Sequence, residues 1–415
     1  MKINTARNSN SLTIVIPTRE RSDTLLYAIR TCVEQNYDNL RILIADNFSK
    51  DNTAAVVSSF MDKRVSYVNS GRRLSMSGNW EFALSHVDSE YVMFLGDDDG
   101  VLPGAVANLM NYAAENETID AFTWPSVDYG WPSCPNSALR NTIVIPFTKG
   151  IEVRYTDEIL SEVIRFKRPY SELPFIYKGL VKTSAVRKLR DASGGTIFHS
   201  MIPDVYFGIA SCAVIEQYIY FSRPYTLNGA SGHSNGTSSF SKKEGSNAEQ
   251  LFLAEENLPF HPALTYCPSI PILITESLLQ AHTKLPILRK HPVDFDATIR
   301  AAVLQLKRAE DNVFNDVIKA LQKMSASISI KADTKLALAS ATHNPFSSAS
   351  RVYGMDIFNK RFLIDCTEFD VNDCFSASIL ANSVLGLQKN KELSNLAAVM
   401  NAVRLLAREM KKRSR

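Results

Sequence analysis

The stretch Tyr91-Val92-Met93-Phe94-Leu95-Gly96-Asp97-Asp98-Asp99-Gly100-Val101-Leu102-Pro103 decides how the chain is read. Its first five residues are short and continuously apolar, as expected of a parallel strand buried on both faces. Three carboxylates follow at the strand end, and a Gly and a Pro then turn the chain toward a helix expected over 104–114. Adjacent acids repel and raise one another's pKa. A divalent cation removes that cost and uses hard oxygen ligands of this type. An acidic loop that only caps the next helix is the alternative.

Upstream, the same strand-then-polar-end pattern recurs. Leu12-Thr13-Ile14-Val15-Ile16 stops at Pro17, and Thr18-Arg19-Glu20-Arg21 forms the turn into a helix capped by Ser22 or Asp23. Leu25, Leu26, Ile29, Cys32 and Val33 recur on one face of that helix. A second buried run, Arg41 to Ala45, ends in Asp46-Asn47, and Arg64 to Val68 makes a third strand. Strands alternating with helices imply an α/β fold with a mainly parallel sheet flanked by helices, and ligands bind beyond the carboxyl ends of its strands. Residues 17–21, 46–51 and 97–99 all fall there.

The middle of the chain mixes strand-like pieces at 121–124, 142–145 and 175–181 with loops, then a helix at 205–213 that Pro203-Asp204 opens. Residues 228–241, rich in Gly, Ser and Asn and including His233, read as a plain exposed loop, with a lid that closes over a donor as the alternative. Beyond about 245 strand signals fade and helical periodicity runs through 272–282, 295–323, 335–341 and 375–413. Two domains are expected, 1–245 and a helical accessory domain at 246–415.

Bulk properties narrow the class. The 415 residues carry a net charge of +3, too little to suggest nucleic acid, and 45% hydrophobic composition fits an ordinary globular chain. Six scattered cysteines form no C-x-x-C pair, so reduced core thiols are expected. With neither a secretory leader nor a run of about 20 apolar residues, a cytoplasmic location is expected. The basic tail, Arg404 to Arg415, suits the inner face of an anionic membrane or a solvated helix end.

With Ile14-Val15-Ile16-Pro17-Thr18, Ile44-Ala45-Asp46-Asn47-Phe48-Ser49-Lys50-Asp51-Asn52-Thr53, Asn79-Trp80 and Phe94 to Asp99 in register, residues 11–235 resemble family-2 glycosyltransferases. The resemblance implies the GT-A fold, an inverting transfer from a nucleoside-diphosphate-sugar, a UDP-sugar above all, and Mn2+ or Mg2+ as cofactor. It also implies a glycan or lipid-linked acceptor, as in bacterial surface polysaccharide synthesis, and admits a homo-oligomer.

By position, Pro17, Thr18, Arg19 and Arg21 match the loop that lines the nucleobase, and Asp46 matches the acid that meets the base edge. Asn79 falls where a polar residue approaches the donor, and Asp97 near the ribose hydroxyls. Asp98 falls at the second acid of the spaced D-x-D pair. The first acid would fall at Gly96, so the metal-holding role stays open among Asp97, Asp98 and Asp99, with Asp98 and Asp99 as the expected ligands. Asp204 matches the general base that an inverting transfer requires, or else serves only the start of its helix. Arg72-Arg73 is a further candidate for the diphosphate. Ser231 has no evident partner that would make it a nucleophile. Two other readings stand beside this one. A nucleotidyltransferase shares the layout but wants a Gly-rich loop, absent from residues 17–21. A non-catalytic nucleotide- or sugar-binding scaffold would bind no metal at the acids.

Overall fold

The structure, a computed structural model, describes residues 10–233, 258–309, 311–343, 354–356 and 359–387. Strands β1 (Leu12–Thr18), β2 (Leu40–Asp46) and β4 (Tyr91–Phe94) are buried on both faces. Alternation explains their unbroken apolarity. Leu12, Ile14, Ile16, Ile42, Ile44, Tyr91 and Met93 enter one core, while Val15, Leu43, Ala45, Val92 and Phe94 enter the core on the opposite face.

Helices α1 (Ser22–Val33), α2 (Thr53–Ser58) and α3 (Met76–Leu84) connect these strands and β3 (Val65–Asn69). Short β5 (Gly100–Val101) and helix α4 (Ala105–Glu115) follow the acids. The middle of the chain supplies β6 (Ala121–Thr123), β7 (Val127–Gly130), β8 (Thr142–Pro146), β9 (Ile151–Tyr155) and α5 (Thr156–Val163). It continues with β10 (Leu180–Lys182), α6 (Thr183–Ala192), α7 (Pro203–Ser211), β11 (Gln217–Phe221) and β12 (Thr226–Ala230).

An eight-stranded sheet has the order β3-β2-β1-β4-β10-β6-β11-β9. Its first four strands are parallel, as expected, but β10 runs antiparallel to both β4 and β6, and β9 antiparallel to β11. The sheet is therefore mixed. The strand expected over 175–181 is broken, because Lys178 adopts φ 58° and ladder pairing proper starts at Leu180.

Beyond residue 258 lie α8 (Ile270–Lys284), α9 (Phe295–Gln305), α10 (Asp311–Ser327) and α11 (Ala332–Ala339). The single helix expected over 295–323 is two helices, the first ending at Gln305 and the second starting at Asp311. Around Ile272, Ile299, Val313, Val317 and Leu321 these helices have a core of their own. Strands β13 (Gly354–Asp356) and β14 (Arg361–Asp365) and helix α12 (Cys374–Leu387) complete the described chain.

The fading of strand signals after 245 is corrected by β13 and β14. β14 pairs with β8, so a second sheet of six strands has the order β13-β14-β8-β7-β12-β5. Phe362, Ile364, Phe369, Leu380 and Val384 sit in the same core as Leu25 and Ile29 of α1. On the other side, Ile274, Leu278 and Ala281 of α8 join the core of α6 and α7. Composition changes near 245, yet packing runs across that point on both faces. The basic tail at 404–415 and most of the expected 375–413 helix lie outside the described residues.

Candidate active site

Residues 97–99 follow β4 where the parallel strands end, and all three acids are buried. Each is gripped by a different part of the chain. Asp97 accepts from Thr18 Oγ1 at 2.8 Å and from Arg21 Nη1 at 3.0 Å. Asp98 Oδ2 accepts from the Ser231 hydroxyl at 2.7 Å and from its backbone N–H at 3.3 Å. Asp99 Oδ2 accepts from Tyr177 OH at 2.6 Å and Gly96 N–H at 3.0 Å, and its Oδ1 from Gly229 N–H at 2.7 Å. Lys178 Nζ lies 3.5 Å from the same Asp99 carboxylate.

The electrostatics follow from this geometry. Burial pushes the Asp97 and Asp99 carboxyls above the usual carboxylate range, with Arg21 and Lys178 respectively pulling back. Burial works against the Arg21 charge, but Asp97 and Asp98 outweigh it and raise its pKa. Burial, reinforced by Asp99 and Asp98, likewise lifts the Tyr177 phenol well above its usual value, so Tyr177 stays a hydrogen-bond donor.

Gly96 explains the missing first acid of the spaced pair. A Cβ there would stand 2.6 Å from Tyr177 OH and 2.7 Å from Asp99 Oδ2. Gly229 is equally tight, with a Cβ falling 1.8 Å from the Asp98 carbonyl oxygen, which also accepts from Trp131 Nε1 at 2.9 Å. The six-stranded sheet thus brings β12 and its Ser231 end directly onto the acid loop.

Other expected residues are placed as follows. β1 does not stop at Pro17, which pairs with Ala45, but runs on to Thr18, which pairs with Asp46, and Arg19 is half-buried in the next turn. Asp46 ends β2 with its acceptors met inside the chain: Oδ1 by Ser49 N–H and hydroxyl at 3.0 and 2.6 Å, Oδ2 by Tyr67 OH and Asn69 Nδ2 at 2.5 and 2.8 Å. Asn79 is buried on α3, donates to the Ala45 carbonyl at 3.3 Å, and leaves its own Oδ1 without a hydrogen bond. Arg72 and Arg73 are exposed on the preceding turn. His233 is exposed, its carbonyl accepting from Arg21 Nη2 at 2.5 Å and its ring 3.6 Å from Asp23. The remainder of the expected loop lies outside the described residues.

Asp204 stands in the first turn of α7, with Ile202 as the N-cap residue and Pro203 at its start. Burial raises its carboxyl, while the Val205 N–H, Lys178 and its own N–H pull it down. The raised Tyr170 and Tyr177 phenols both sense the Asp204 charge. Lys178 is therefore shared electrostatically between Asp99 and Asp204. Sequence reading missed Tyr177, Lys178 and the Ser231–Asp98 bond, since ordinary residue types distant in sequence carry no local signal. The one available hint was Gly229 in its Gly-rich run.

Among the described residues no three His, Cys, Asp or Glu side chains converge as a protein-only metal cage. Magnesium-type ions are commonly held by one or two carboxylates plus substrate phosphates and water. A single buried carboxylate such as Asp98 fits that chemistry.

The family model described as "Glycosyl transferase family 2" matches residues 13–170. One relative is the GalNAc(5)-diNAcBac-PP-undecaprenol beta-1,3-glucosyltransferase of Campylobacter jejuni, 35% identical over 107 residues, which are 25% of this chain and 35% of that protein. Another is a UDP-Glc:alpha-D-GlcNAc-diphosphoundecaprenol beta-1,3-glucosyltransferase of Escherichia coli, 24% identical over 101 residues, 24% of this chain and 40% of that one. The alignments thus span little more than a third of these relatives' own lengths. A crystal structure of S. aureus TarS 1-349 in complex with UDP-GlcNAc superposes with a TM-score of 0.46 at 13% identity, over 80% of this chain and 79% of that one.

Proposed function

We propose, on the premise that residues 13–170 form a family-2 glycosyltransferase domain, that this chain moves a sugar from a nucleoside-diphosphate donor to an acceptor hydroxyl with inversion. UDP-glucose is the donor and a lipid-linked glycan the acceptor, in line with the printed names of the relatives. One observation carries the reading: three buried acids at the end of β4 are held apart by separate partners, and one of them, Asp99, shares Lys178 with Asp204.

Thr18 and Arg21 fix Asp97 toward the donor ribose. Tyr177, Gly96 and Gly229 engage both oxygens of Asp99, which makes it the anchor of the loop. Asp98, whose Oδ2 accepts from Ser231, would hold Mn2+ or Mg2+, which when bound offsets charge on the leaving diphosphate. Asp204 takes the proton of the acceptor hydroxyl, and its raised pKa suits a base working near neutral pH. The Lys178 charge favours the ionised form of Asp204 against the effect of burial. At the base end, Asp46, Tyr67 and Asn69 form one polar cluster whose donors and acceptors rearrange around the nucleobase edge. The helices from Ile270 to Ala339 act as an accessory unit that buttresses α7. Lipid-linked acceptors would place the work at the cytoplasmic face of a membrane. Among the described residues no helix is long and apolar enough to cross one.

The test is a thermal-shift screen of the full chain against UDP, UDP-glucose, UDP-GlcNAc and GDP-mannose, with manganese and with chelator. A ligand at a hundred times its Kd stabilises by about 2.7 kcal/mol, a shift of a few degrees for a protein of this size. No shift with any nucleotide would overturn the proposal.

A further inference from the structure

Strand β9 ends the eight-stranded sheet, and its outer side pairs with no other strand among the described residues. Free edges are usually blunted by charge, proline or a bulge, because their unpaired N–H and C=O groups template association. The two charges of this strand, Glu152 and Arg154, bond each other within the chain at 2.9 Å. Ile151, Val153 and Tyr155 are 53%, 55% and 48% exposed, three of the chain's large exposed apolar side chains in one five-residue strand.

The hydrogen-bond parity of β9 sharpens the point. Thr156 N–H donates to Glu216 O, and Ser222 N–H donates to Gly150 O, so the even-numbered residues 150 to 156 face β11 with their backbone groups. In an antiparallel ladder the intervening residues turn their N–H and C=O the other way. Ile151, Val153 and Tyr155 therefore aim both groups at the free edge.

We propose that β9 is a dimer edge, paired antiparallel with β9 of a second copy about a two-fold axis through Val153. The register makes the strand self-complementary. Val153 meets Val153, Ile151 meets Tyr155, and each of these is a hydrogen-bonded pair that exchanges two backbone bonds. Glu152 of one copy stands opposite Arg154 of the other, so no like charges face each other across the join. Within its own chain Arg154 already sits over the Tyr220 ring at 3.5 Å and bonds Glu172 at 2.6 Å, which holds that face of the strand rigid. A lipid surface is the weaker fit, since headgroups do not supply the alternating donors and acceptors that this edge presents. Two-fold pairing closes the assembly at two copies. A strand this short gives an interface of the weak, concentration-dependent class.

The test introduces one thiol. All six native cysteines are buried, so mild oxidation acts on the new group. Two Val153→Cys chains would bring their Cα atoms to about 5.5 Å, within disulfide range. The expected result is a reducible species of twice 46.2 kDa, formed far faster than with Met61→Cys, whose side chain is 97% exposed elsewhere. Wild-type mass by light scattering should rise toward that doubled value with concentration. Val153→Pro removes an N–H that faces away from β11 and should abolish the rise while the melting curve persists. If that variant unfolds, the cysteine comparison decides alone. Equal cross-linking of the two cysteine variants, or a wild-type mass that stays at 46.2 kDa up to about 100 µM, the weak-affinity range, overturns the dimer. So does a constant mass combined with loss of phosphatidylglycerol-vesicle binding in an Ile151→Ser/Val153→Ser/Tyr155→Ser variant, which would make the strip a lipid contact.

Discussion

The Ser200 hydroxyl donates to Glu276 Oε2 at 2.5 Å, and both residues are wholly buried. Ser200 lies a few residues before Asp204. Its carbonyl accepts from Ser77 of α3 at 2.5 Å, and its hydroxyl accepts from Ser277 of α8 at 3.2 Å. Glu276 also accepts from Gln280 at 2.8 Å and from His261 N–H at 3.3 Å, and no cation is among these partners. A helix from the second half of the chain thus fixes the approach to α7.

Burial raises the Glu276 carboxyl above its ordinary value of 4.5. A raised folded-state pKa means the protonated form is the better tolerated one. Its stability contribution is full in acid and is lost as pH rises through the folded value. Glu276→Gln, which keeps an acceptor and cannot ionise, should therefore gain on wild type between acid and neutral pH. Glu276→Ala should lose about 1–3 kcal/mol by stranding buried donors. Melting curves across pH 4 to 8, a span of about four units around ordinary carboxylate values, check both.

Asp98→Asn should weaken UDP binding in manganese and leave binding in chelator nearly unchanged. Isothermal titration under both conditions separates the two. An equal loss in both would mean that Asp98 serves the Ser231 contact and the fold.

Asp204→Asn keeps shape and removes the proton acceptor. Donor affinity should hold while turnover with an acceptor falls by roughly a hundredfold or more, the usual worth of acid–base assistance. If affinity collapses together with turnover, Asp204 is a binding residue and the base must be sought elsewhere.

A chain ending at residue 343 loses β13, β14 and α12. Phe362, Ile364, Phe369, Leu380 and Val384 would leave the core they share with α1. Each such side chain contributes about 1.5–3 kcal/mol, so their sum rivals the roughly 5–15 kcal/mol of a whole domain. Dye binding and aggregation at room temperature are expected. A soluble, cooperatively melting product would instead show that residues 10–343 fold as a unit.

The parallel half of the fold was legible because a strand buried on both faces must be continuously apolar, as Leu12 to Ile16 and Tyr91 to Leu95 are. The ends of those strands located the acids, and Pro203-Asp204 marked the start of α7. Ladder geometry hid the rest. Strand β14 is only the apolar triplet Phe362 to Ile364 between Arg361 and Asp365, and its partner β8 is remote in sequence, so little local signal marks it as a strand. Lys178 and Tyr177 looked like strand residues, yet the left-handed φ at Lys178 breaks the strand and swings its amine toward Asp99. Gly96 looked like a departure from the family spelling, but it is a steric requirement of the Tyr177–Asp99 bond.

The six-stranded sheet also sets an order of events during synthesis. Strand β12, which delivers Ser231 and Gly229 to the acid loop, belongs to a sheet whose remaining strands pair across the chain, Arg361 with Pro146. On the ribosome, β5, β7, β8 and β12 emerge long before β14. Until then β8 offers a vacant edge, and the apolar surface awaiting α12 is bare. Pairings this distant in sequence slow folding, since the loop entropy is lost before the contacts form. The nascent chain therefore carries its acid loop half-assembled, in the aggregation-prone state that chaperones recognise, until translation has passed α12.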